Sequence, residues 1–155
     1  MRIVIAAVGR MRPGPEAQLV ADYLERHARA GRALGLPPVA VAEVEDRRGG
    51  GMAAEGQLLA RAIPEGAATI ILDERGEMLD SPGLARRIAD FRDQGRDIAF
   101  VIGGADGLDP ALRARADLAI SLGRMVWPHM LVRVMLAEQI YRATTILAGS
   151  PYHRS

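Results

Sequence analysis

Three residue types, cysteine, lysine and asparagine, are missing from this chain. None of its 155 residues is cysteine, which excludes disulfide bonds, thiol nucleophiles and cysteine-ligated zinc. The absence of cysteine suits a reducing compartment, and we expect a cytoplasmic location. Lysine is missing as well, so all 20 basic residues are arginine. Arginine can form paired hydrogen bonds with phosphates and can stack on bases, which would suit RNA binding. The chain is also rich in alanine and glycine, so a biased coding composition explains the absence of lysine more simply.

Strong net charge and long apolar runs are also lacking. The formal net charge is only +1, so any RNA-binding surface must be local. No stretch approaches the roughly 18 apolar residues of a membrane-spanning helix, so we expect no membrane association. The apolar run at residues 3–8 is shorter than a signal-peptide core and predicts a first strand. The 3 histidines lack the spacing of metal ligands, so no metal site is predicted.

Apolar runs rich in valine and isoleucine alternate along the chain with longer segments of helical period. This alternation predicts an α/β fold in which helices flank a mainly parallel sheet. With 155 residues and 49% hydrophobic content, the chain suits one domain spanning 1–155. The predicted strands are residues 2–8, 39–44, 68–72, 97–102 and 118–121. The predicted helices include residues 15–30, ended by Gly31, one capped by Ser81 before Pro82, one starting at Asp109-Pro110, and residues 128–144.

A parallel sheet binds ligands in the crevice at the carboxyl ends of its strands. We expect the strands that end at Leu72, Ile102 and Ser121 to lie at the centre of the sheet, with this crevice in the loops that follow. The second loop reads GGADGLDP at 103–110. It has neither the G-x-G-x-x-G pattern of dinucleotide sites nor the lysine of a P-loop. Its glycines suit either close contact with a ligand or simply a tight turn from strand to helix.

The third loop reads GRMVWP at 123–128. Met125 and Trp127 bring apolar and aromatic bulk to the expected crevice, where a flat adenine ring would pack against them. Taken alone, these two residues are more simply explained by packing in the core. His129, at the start of the last helix, is interpreted as a capping or packing residue.

The C-terminal tail carries Tyr152, His153 and Arg154 in succession. An aromatic ring, an imidazole and a guanidinium together suit the binding of a nucleotide base that is turned out of its stack. A frayed terminus is the alternative, since most C-terminal tails are poorly ordered.

Three segments carry a resemblance to a known family: IGGADGL at 102–108, WPH with LVR at 127–133, and EQ-x-YRA through PYHR at 138–154. In order and spacing they resemble the RlmH family of SPOUT methyltransferases, and the similarity covers essentially the whole chain. The resemblance implies an α/β-knot fold, in which a C-terminal trefoil knot forms the pocket for S-adenosylmethionine. The positions that match the family's cofactor site are Leu72, Gly104, Gly123, Arg124, Met125, Val126, Trp127 and Pro128. Family members often carry threonine and phenylalanine where this chain has Val126 and Trp127.

The resemblance also implies a reaction. Members of the family methylate N3 of a pseudouridine in 23S rRNA on the assembled ribosome, and they act as homodimers. Tyr152, His153 and Arg154 are then the candidate catalytic residues, with His153 or a water that it orients assisting loss of the N3 proton. We expect the apolar face of the last helix to form the contact between subunits.

Two other classes of function remain open at this point. A ribosome-associated module that binds the cofactor and modifies nothing would share the same motifs. A small-molecule enzyme on a flavodoxin-like sheet would need a phosphate loop after the first strand, and the GRMR segment at 9–12 does not supply one.

Overall fold

A computed structural model describes residues 1–154, and Ser155, the last residue of the predicted domain, lies outside the described residues. Within residues 1–154 the strands are β1 (Ile3–Val8), β2 (Val39–Val44), β3 (Ala68–Glu77), β4 (Ile98–Ile102) and β5 (Leu118–Ile120). The helices in the same range are α1 (Pro15–Gly31), α2 (Gly51–Ala62), α3 (Ser81–Asp93), α4 (Pro110–Arg115) and α5 (His129–Ala148), and a 3-10 turn (Arg32–Leu34) follows α1. The predicted α/β alternation is confirmed.

The strands of the described residues form one sheet in the order β2-β1-β4-β3-β5, and every pairing is parallel. Parallel neighbours need crossover connections, which the helices provide: α1, α3 and α5 pack on one face and α2 and α4 on the other. β3 and β4 are internal, as predicted. The prediction of a central β5 was wrong, because β5 pairs with β3 alone and therefore lies at an edge of the sheet.

The sheet divides the core into two layers. Ile3 and Ile5 of β1 face the layer of α1, α3 and α5, while Ala6 faces the layer of α2 and α4, because side chains alternate along a strand. Phe100 of β4 is fully buried in the first layer. A buried apolar side chain of this size contributes about 1.5–3 kcal/mol to folding. The two layers therefore hold the strand ends, and the loops that leave them, in place.

β3 continues past its predicted end. Leu72 and Glu77 both lie opposite Ile120 of β5, so residues 73–76 form a bulge. Gly76 permits the close approach, since a Cβ there would lie 2.6 Å from backbone atoms of β5. The sequence DERG at 73–76 predicts a loop, because nothing local to it indicates the strand with which it pairs.

One predicted helix end is confirmed and two helix boundaries were wrong. α1 ends at Gly31, and the 3-10 turn then leads to Gly35, whose φ of 72° is the left-handed value that suits glycine. α5 extends past residue 144, its predicted end, to Ala148. The N-cap of α3 is Asp80 rather than Ser81, because Oδ1 of Asp80 accepts a hydrogen bond of 2.7 Å from the backbone N–H of Gly83.

A buried arginine fastens α5 to the sheet. The side chain of Arg133 is 3% exposed, and its Nη2 donates to the carbonyl oxygens of Val8 at 2.9 Å and Gly9 at 2.5 Å. Its Nη1 lies 2.5 Å from the Glu43 carboxylate. Burial raises the pKa of Glu43, but hydrogen bonds from the backbone of Met11 and from Arg133 outweigh this effect, and the pKa is lowered. The start of α5 is thereby held at the carboxyl ends of β1 and β2.

His27 is buried between α1 and α5. Its Nε2 lies 2.9 Å from the carbonyl oxygen of Pro37, and its Nδ1 lies 2.8 Å from Oγ1 of Thr144. Because the carbonyl oxygen of Pro37 can only accept, Nε2 carries a proton, and the single hydroxyl hydrogen of Thr144 lies between two acceptors, Nδ1 and the carbonyl oxygen of Ile140 at 2.9 Å. Burial lowers the pKa of His27 below its ordinary 6.5, which favours the neutral form.

Candidate functional site

The bulged part of β3 and the loops that follow β4 and β5 enclose a cleft of about 480 Å³, here named the loop cleft. It lies at the carboxyl edge of the sheet, where parallel sheets bind their ligands. The predicted cofactor residues that line it are Leu72, Gly104, Gly123, Met125, Val126 and Trp127. Arg124 and Pro128 belong to the same segment but lie outside the lining, and both are exposed. Three segments that are separate in sequence, the bulged part of β3 and the loops after β4 and β5, therefore meet at one cleft.

The glycines of the loop after β4 have two different environments. A Cβ at Gly103 would lie 2.7 Å from the carbonyl oxygen of Gly107, so the turn itself requires glycine there. The N–H of Gly107 donates to the carbonyl oxygen of Gly104 at 3.0 Å and closes the turn. A Cβ at Gly104 would approach the Glu55 carboxylate to 3.0 Å. The tight-turn interpretation thus accounts for Gly103, while Gly104 also exposes backbone to the cleft.

The loop after β5 is anchored at one end and open along its length. The Ser121 hydroxyl exchanges hydrogen bonds with the backbone of Gly123, at 3.0 Å and 3.1 Å. Met125 is 69% exposed, Val126 is 87% exposed, and Trp127 is 37% exposed. Core packing is therefore the wrong explanation for Met125 and Trp127, which form an apolar wall of the loop cleft.

Two acidic residues that the sequence analysis did not name, Asp73 and Glu74, also line the loop cleft. The side chain of Asp73 is only 9% exposed, and it forms ion pairs with Arg113 at 2.9 Å and Arg75 at 3.6 Å. Among the described residues, Nε of Arg113 has no hydrogen-bond partner, so its contact with Asp73 is an ion pair of bent geometry. The available signal was the Asp-Glu pair directly after Leu72, at the end of a buried strand.

A second and larger cleft, of about 770 Å³, lies between α1, the start of α3 and α5, and we name it the helix cleft. Its lining is largely apolar, with Leu19 42% exposed and Met78 66% exposed. His153 lines this cleft as well. Residues 120–123 contribute to the helix cleft, and Gly123 lines both clefts.

The C-terminal tail is docked on α5 and is not frayed up to Arg154. The hydroxyl of Tyr152 donates to the Glu138 carboxylate at 2.8 Å, and its ring packs edge-on against Tyr141 at a centroid distance of 4.7 Å. Nδ1 of His153 lies 3.2 Å from Nη1 of Arg142. Arg154 is exposed at the end of the tail.

Apart from Gly123, which lines both clefts, the predicted cofactor residues do not share a cleft with the predicted catalytic residues. His153 lines the helix cleft, and within residues 1–154 none of Tyr152, His153 and Arg154 lines the loop cleft. Burial, assisted by the hydrogen bond to Glu138, raises the pKa of Tyr152 to about 12. Tyr152 therefore remains protonated near neutral pH and acts there as a hydrogen-bond donor.

Comparison with known proteins gives the class of enzyme to which this sheet and cleft belong. The family model described as "Predicted SPOUT methyltransferase" matches residues 1–153. The chain is 79% identical over 154 residues to the ribosomal RNA large subunit methyltransferase H of Paracoccus denitrificans and 68% identical over 154 residues to that of Cereibacter sphaeroides ATCC 17029, covering 99% of the chain and of each relative. The chain belongs to the SPOUT methyltransferases and, within them, to the family of ribosomal RNA large subunit methyltransferase H.

A solved structure supports the fold. A probable methylase family protein from Haemophilus influenzae Rd KW20 is similar with a TM-score of 0.50 at 11% sequence identity, over 99% of this chain and 70% of that chain. At this identity the likeness concerns the fold alone.

Residues 1–154 contain neither a candidate membrane-spanning helix nor a candidate metal-binding cluster. In this part of the chain no helix is long and apolar enough to cross a membrane. No group of three or more histidine or acidic side chains there is arranged to hold a metal ion.

Proposed function

We propose that this protein transfers a methyl group from S-adenosylmethionine to N3 of a pseudouridine in 23S rRNA, on the assembled ribosome. The observation that carries the proposal is the loop cleft, where residues of β3 and of the loops after β4 and β5 meet as the family resemblance requires. The 79% identical relative is a ribosomal RNA large subunit methyltransferase H, which supports ribosomal RNA as the substrate. We place the reaction in the cytoplasm, in one domain of residues 1–155.

The lining of the loop cleft suits the proposed cofactor. Met125 and Trp127 offer an apolar wall to the adenine ring, and among the described residues, chain neighbours apart, no atom lies within 4 Å of the position of a Cβ at Gly123. The carboxylates of Asp73 and Glu74 suit the hydroxyl groups and the ammonium group of the cofactor. The residues that would hold it are Leu72, Gly104, Gly123, Arg124, Met125, Val126, Trp127 and Pro128. When bound, the cofactor supplies an electrophilic methyl group on a sulfonium sulfur.

The separation of the two clefts supports a homodimer with a shared site. In one subunit His153 lines the helix cleft, and none of the three tail residues lines the loop cleft, so a complete site needs a tail from a second copy. The exposed apolar surface of Leu19 and Met78, beside the half-buried Val134 and Met135 of α5, is the contact that we propose between subunits. The predicted trefoil knot belongs to this proposal, and membership of the SPOUT family supports it.

The protein's task in this reaction is to align the base with the methyl group and to exclude water. Such alignment can supply about 7–11 kcal/mol of the barrier. The N3 proton must also leave, and His153 or a water that it orients assists this loss. Tyr152 and Arg154 hold the base and a phosphate, since an aromatic ring and a guanidinium are common partners of unstacked bases.

Transfer of labelled methyl from S-adenosylmethionine to intact ribosomes from cells that lack this enzyme tests the proposal. Naked rRNA serves as the parallel substrate, and mass mapping locates the product. Label at one pseudouridine, in ribosomes and not in naked rRNA, is the expected result. Cofactor binding without label in either RNA would replace the proposal with a ribosome-associated binding module.

A further inference from the structure

The tail of this protein is organised around one carboxylate. Glu138 of α5 accepts two hydrogen bonds from Arg142, one turn further along, from Nε at 3.0 Å and from Nη2 at 2.9 Å. It also accepts a bond of 2.8 Å from the hydroxyl of Tyr152. The guanidinium of Arg142 lies 4.9 Å from the centre of the Tyr152 ring. Because two of its nitrogens are bound to one carboxylate, the guanidinium has a fixed orientation.

The third nitrogen of Arg142 determines the state of the neighbouring imidazole. Nη1 lies 3.2 Å from Nδ1 of His153. A guanidinium carries N–H groups and no lone pair that accepts, so Nδ1 must be the acceptor in this contact. A neutral imidazole that accepts at Nδ1 carries its proton at Nε2. The ring then offers an N–H donor, and no acceptor, on the side away from Arg142.

We infer that Arg142 is a positioning residue that holds His153 as the Nε2–H tautomer, so that His153 donates a hydrogen bond to the RNA base and does not take the N3 proton itself. The inference rests on the proposed function for its substrate. It refines the role of His153, because the ring assists proton loss as a donor.

The chemistry of the base suits a donor at this position. N3 of pseudouridine lies between two carbonyl groups, and loss of its proton to water spreads negative charge onto their oxygens. A donor placed at one of these oxygens stabilises the anion as it forms, as donors do for other oxyanions. The N3 electron pair then forms the new N–CH₃ bond, while the electron pair of the broken S–CH₃ bond remains on sulfur. Charge and protons balance with water as the only proton acceptor.

Nitrogen NMR of the full-length protein tests the tautomer without reference to activity. The chain has 3 histidines, so ¹⁵N-histidine labelling gives few signals, and single His→Gln variants assign them. We expect Nδ1 of His153 to be unprotonated and Nε2 to carry hydrogen. His27 is an internal reference, because its Nε2–H is held by Pro37 and does not contact Arg142.

Substitution of Arg142 separates positioning from general structure. In Arg142→Met the donor to Nδ1 is lost, so we expect the His153 signals to move toward a mixture of tautomers while those of His27 stay unchanged. Arg142→Lys retains a cationic donor and should restore part of the wild-type signal. A proton on Nδ1 of His153 in the wild-type protein, or identical His153 signals in Arg142→Met, would overturn the inference.

Two substitutions of His153 then distinguish a donor from a base. The side-chain amide of glutamine places an N–H group near the position of Nε2 but cannot act as a base. Removal of a donor to a developing oxyanion costs about 10²–10³ in kcat, and we expect this loss in His153→Ala. His153→Gln should be at least about tenfold faster than His153→Ala, with KM for the cofactor unchanged in both. Equal turnover of the two variants would refute the donor role.

This test and the test of the proposed function fail in different ways. If the wild-type protein transfers no methyl to ribosomes, the proposed function is wrong, whatever the NMR shows. If methyl transfer occurs but His153→Gln is as slow as His153→Ala, the proposed function stands and the donor role falls.

Discussion

Replacing Arg133 with methionine tests how firmly α5 is held against the sheet. The substitution retains an unbranched side chain and removes the guanidinium that contacts Val8, Gly9 and Glu43. Each carbonyl oxygen that is left without its donor costs about 1–3 kcal/mol. The ion pair adds about 1 kcal/mol at most, because the Glu43 side chain is 33% exposed and water screens the pair. We expect the free energy of unfolding to fall by about 3–5 kcal/mol, the range for breaking a buried ionic contact.

The same substitution has an expected effect on ligand binding. His129 and Val132, at the start of α5, line the loop cleft, and Val132 directly precedes Arg133. Without the contacts to β1 and β2, the first turn of α5 is less firmly held. We expect folded Arg133→Met to bind S-adenosylmethionine about tenfold more weakly, which corresponds to about 1.4 kcal/mol.

Urea unfolding followed by circular dichroism measures the first effect, and titration calorimetry at a temperature where the variant is folded measures the second. Arg29→Met is the matched control, because Arg29 is exposed on α1 and its ion pair with Glu25 is 4.0 Å long. The control should change stability by no more than about 0.5 kcal/mol. If Arg133→Met loses no more than Arg29→Met, the buried contacts do not hold α5 and the reasoning is refuted.

Three further predictions follow from other contacts. The pKa of His27 is lowered in the folded protein, so as the pH drops below the ordinary pKa of 6.5 the unfolded chain binds a proton before the folded one, and the free energy of unfolding should fall. His27→Gln should flatten this pH dependence in urea titrations between about pH 8 and about pH 5, and equal slopes for variant and wild type would contradict the reasoning. Gly76→Ala would place a Cβ 2.6 Å from the backbone of Ala119 and should cost about 1–3 kcal/mol in thermal unfolding, whereas an unchanged Tm would show that β3 and β5 move apart freely. Trp127→Ala should weaken S-adenosylmethionine binding about tenfold in calorimetry while Trp127→Phe retains most of the affinity, and equal Kd values for the two variants would exclude an aromatic wall.

The sequence was most informative where local pattern decides structure. The apolar runs of β1, β2 and β4 and the proline at the start of α3 predicted those elements to within one or two residues. The position of the candidate site also followed, because any parallel sheet gathers its carboxyl-end loops at one edge. Leu72, Gly104 and Trp127 were named on that argument together with the family resemblance, and they meet in the loop cleft.

The sequence was least informative where a residue's partner lies far along the chain. The bulge at 73–76 depends on pairing with β5, some 40 residues later in the chain, whereas the polar residues of this segment alone favour a loop. The docking of the tail depends on Glu138, which presents both carboxylate oxygens to Arg142 and Tyr152. Terminal residues are usually frayed, so composition alone favoured the wrong alternative for this segment.

Ile120, Leu122 and Gly123 line both clefts, so the two proposed binding events share three residues. A shift of these residues when one cleft is filled changes the free energy of filling the other. Thermodynamic linkage makes such an effect reciprocal: if association of subunits strengthens cofactor binding by some factor, the cofactor strengthens association by the same factor. The apparent affinity for the cofactor then rises with protein concentration, a property that belongs to the assembly and to no single side chain.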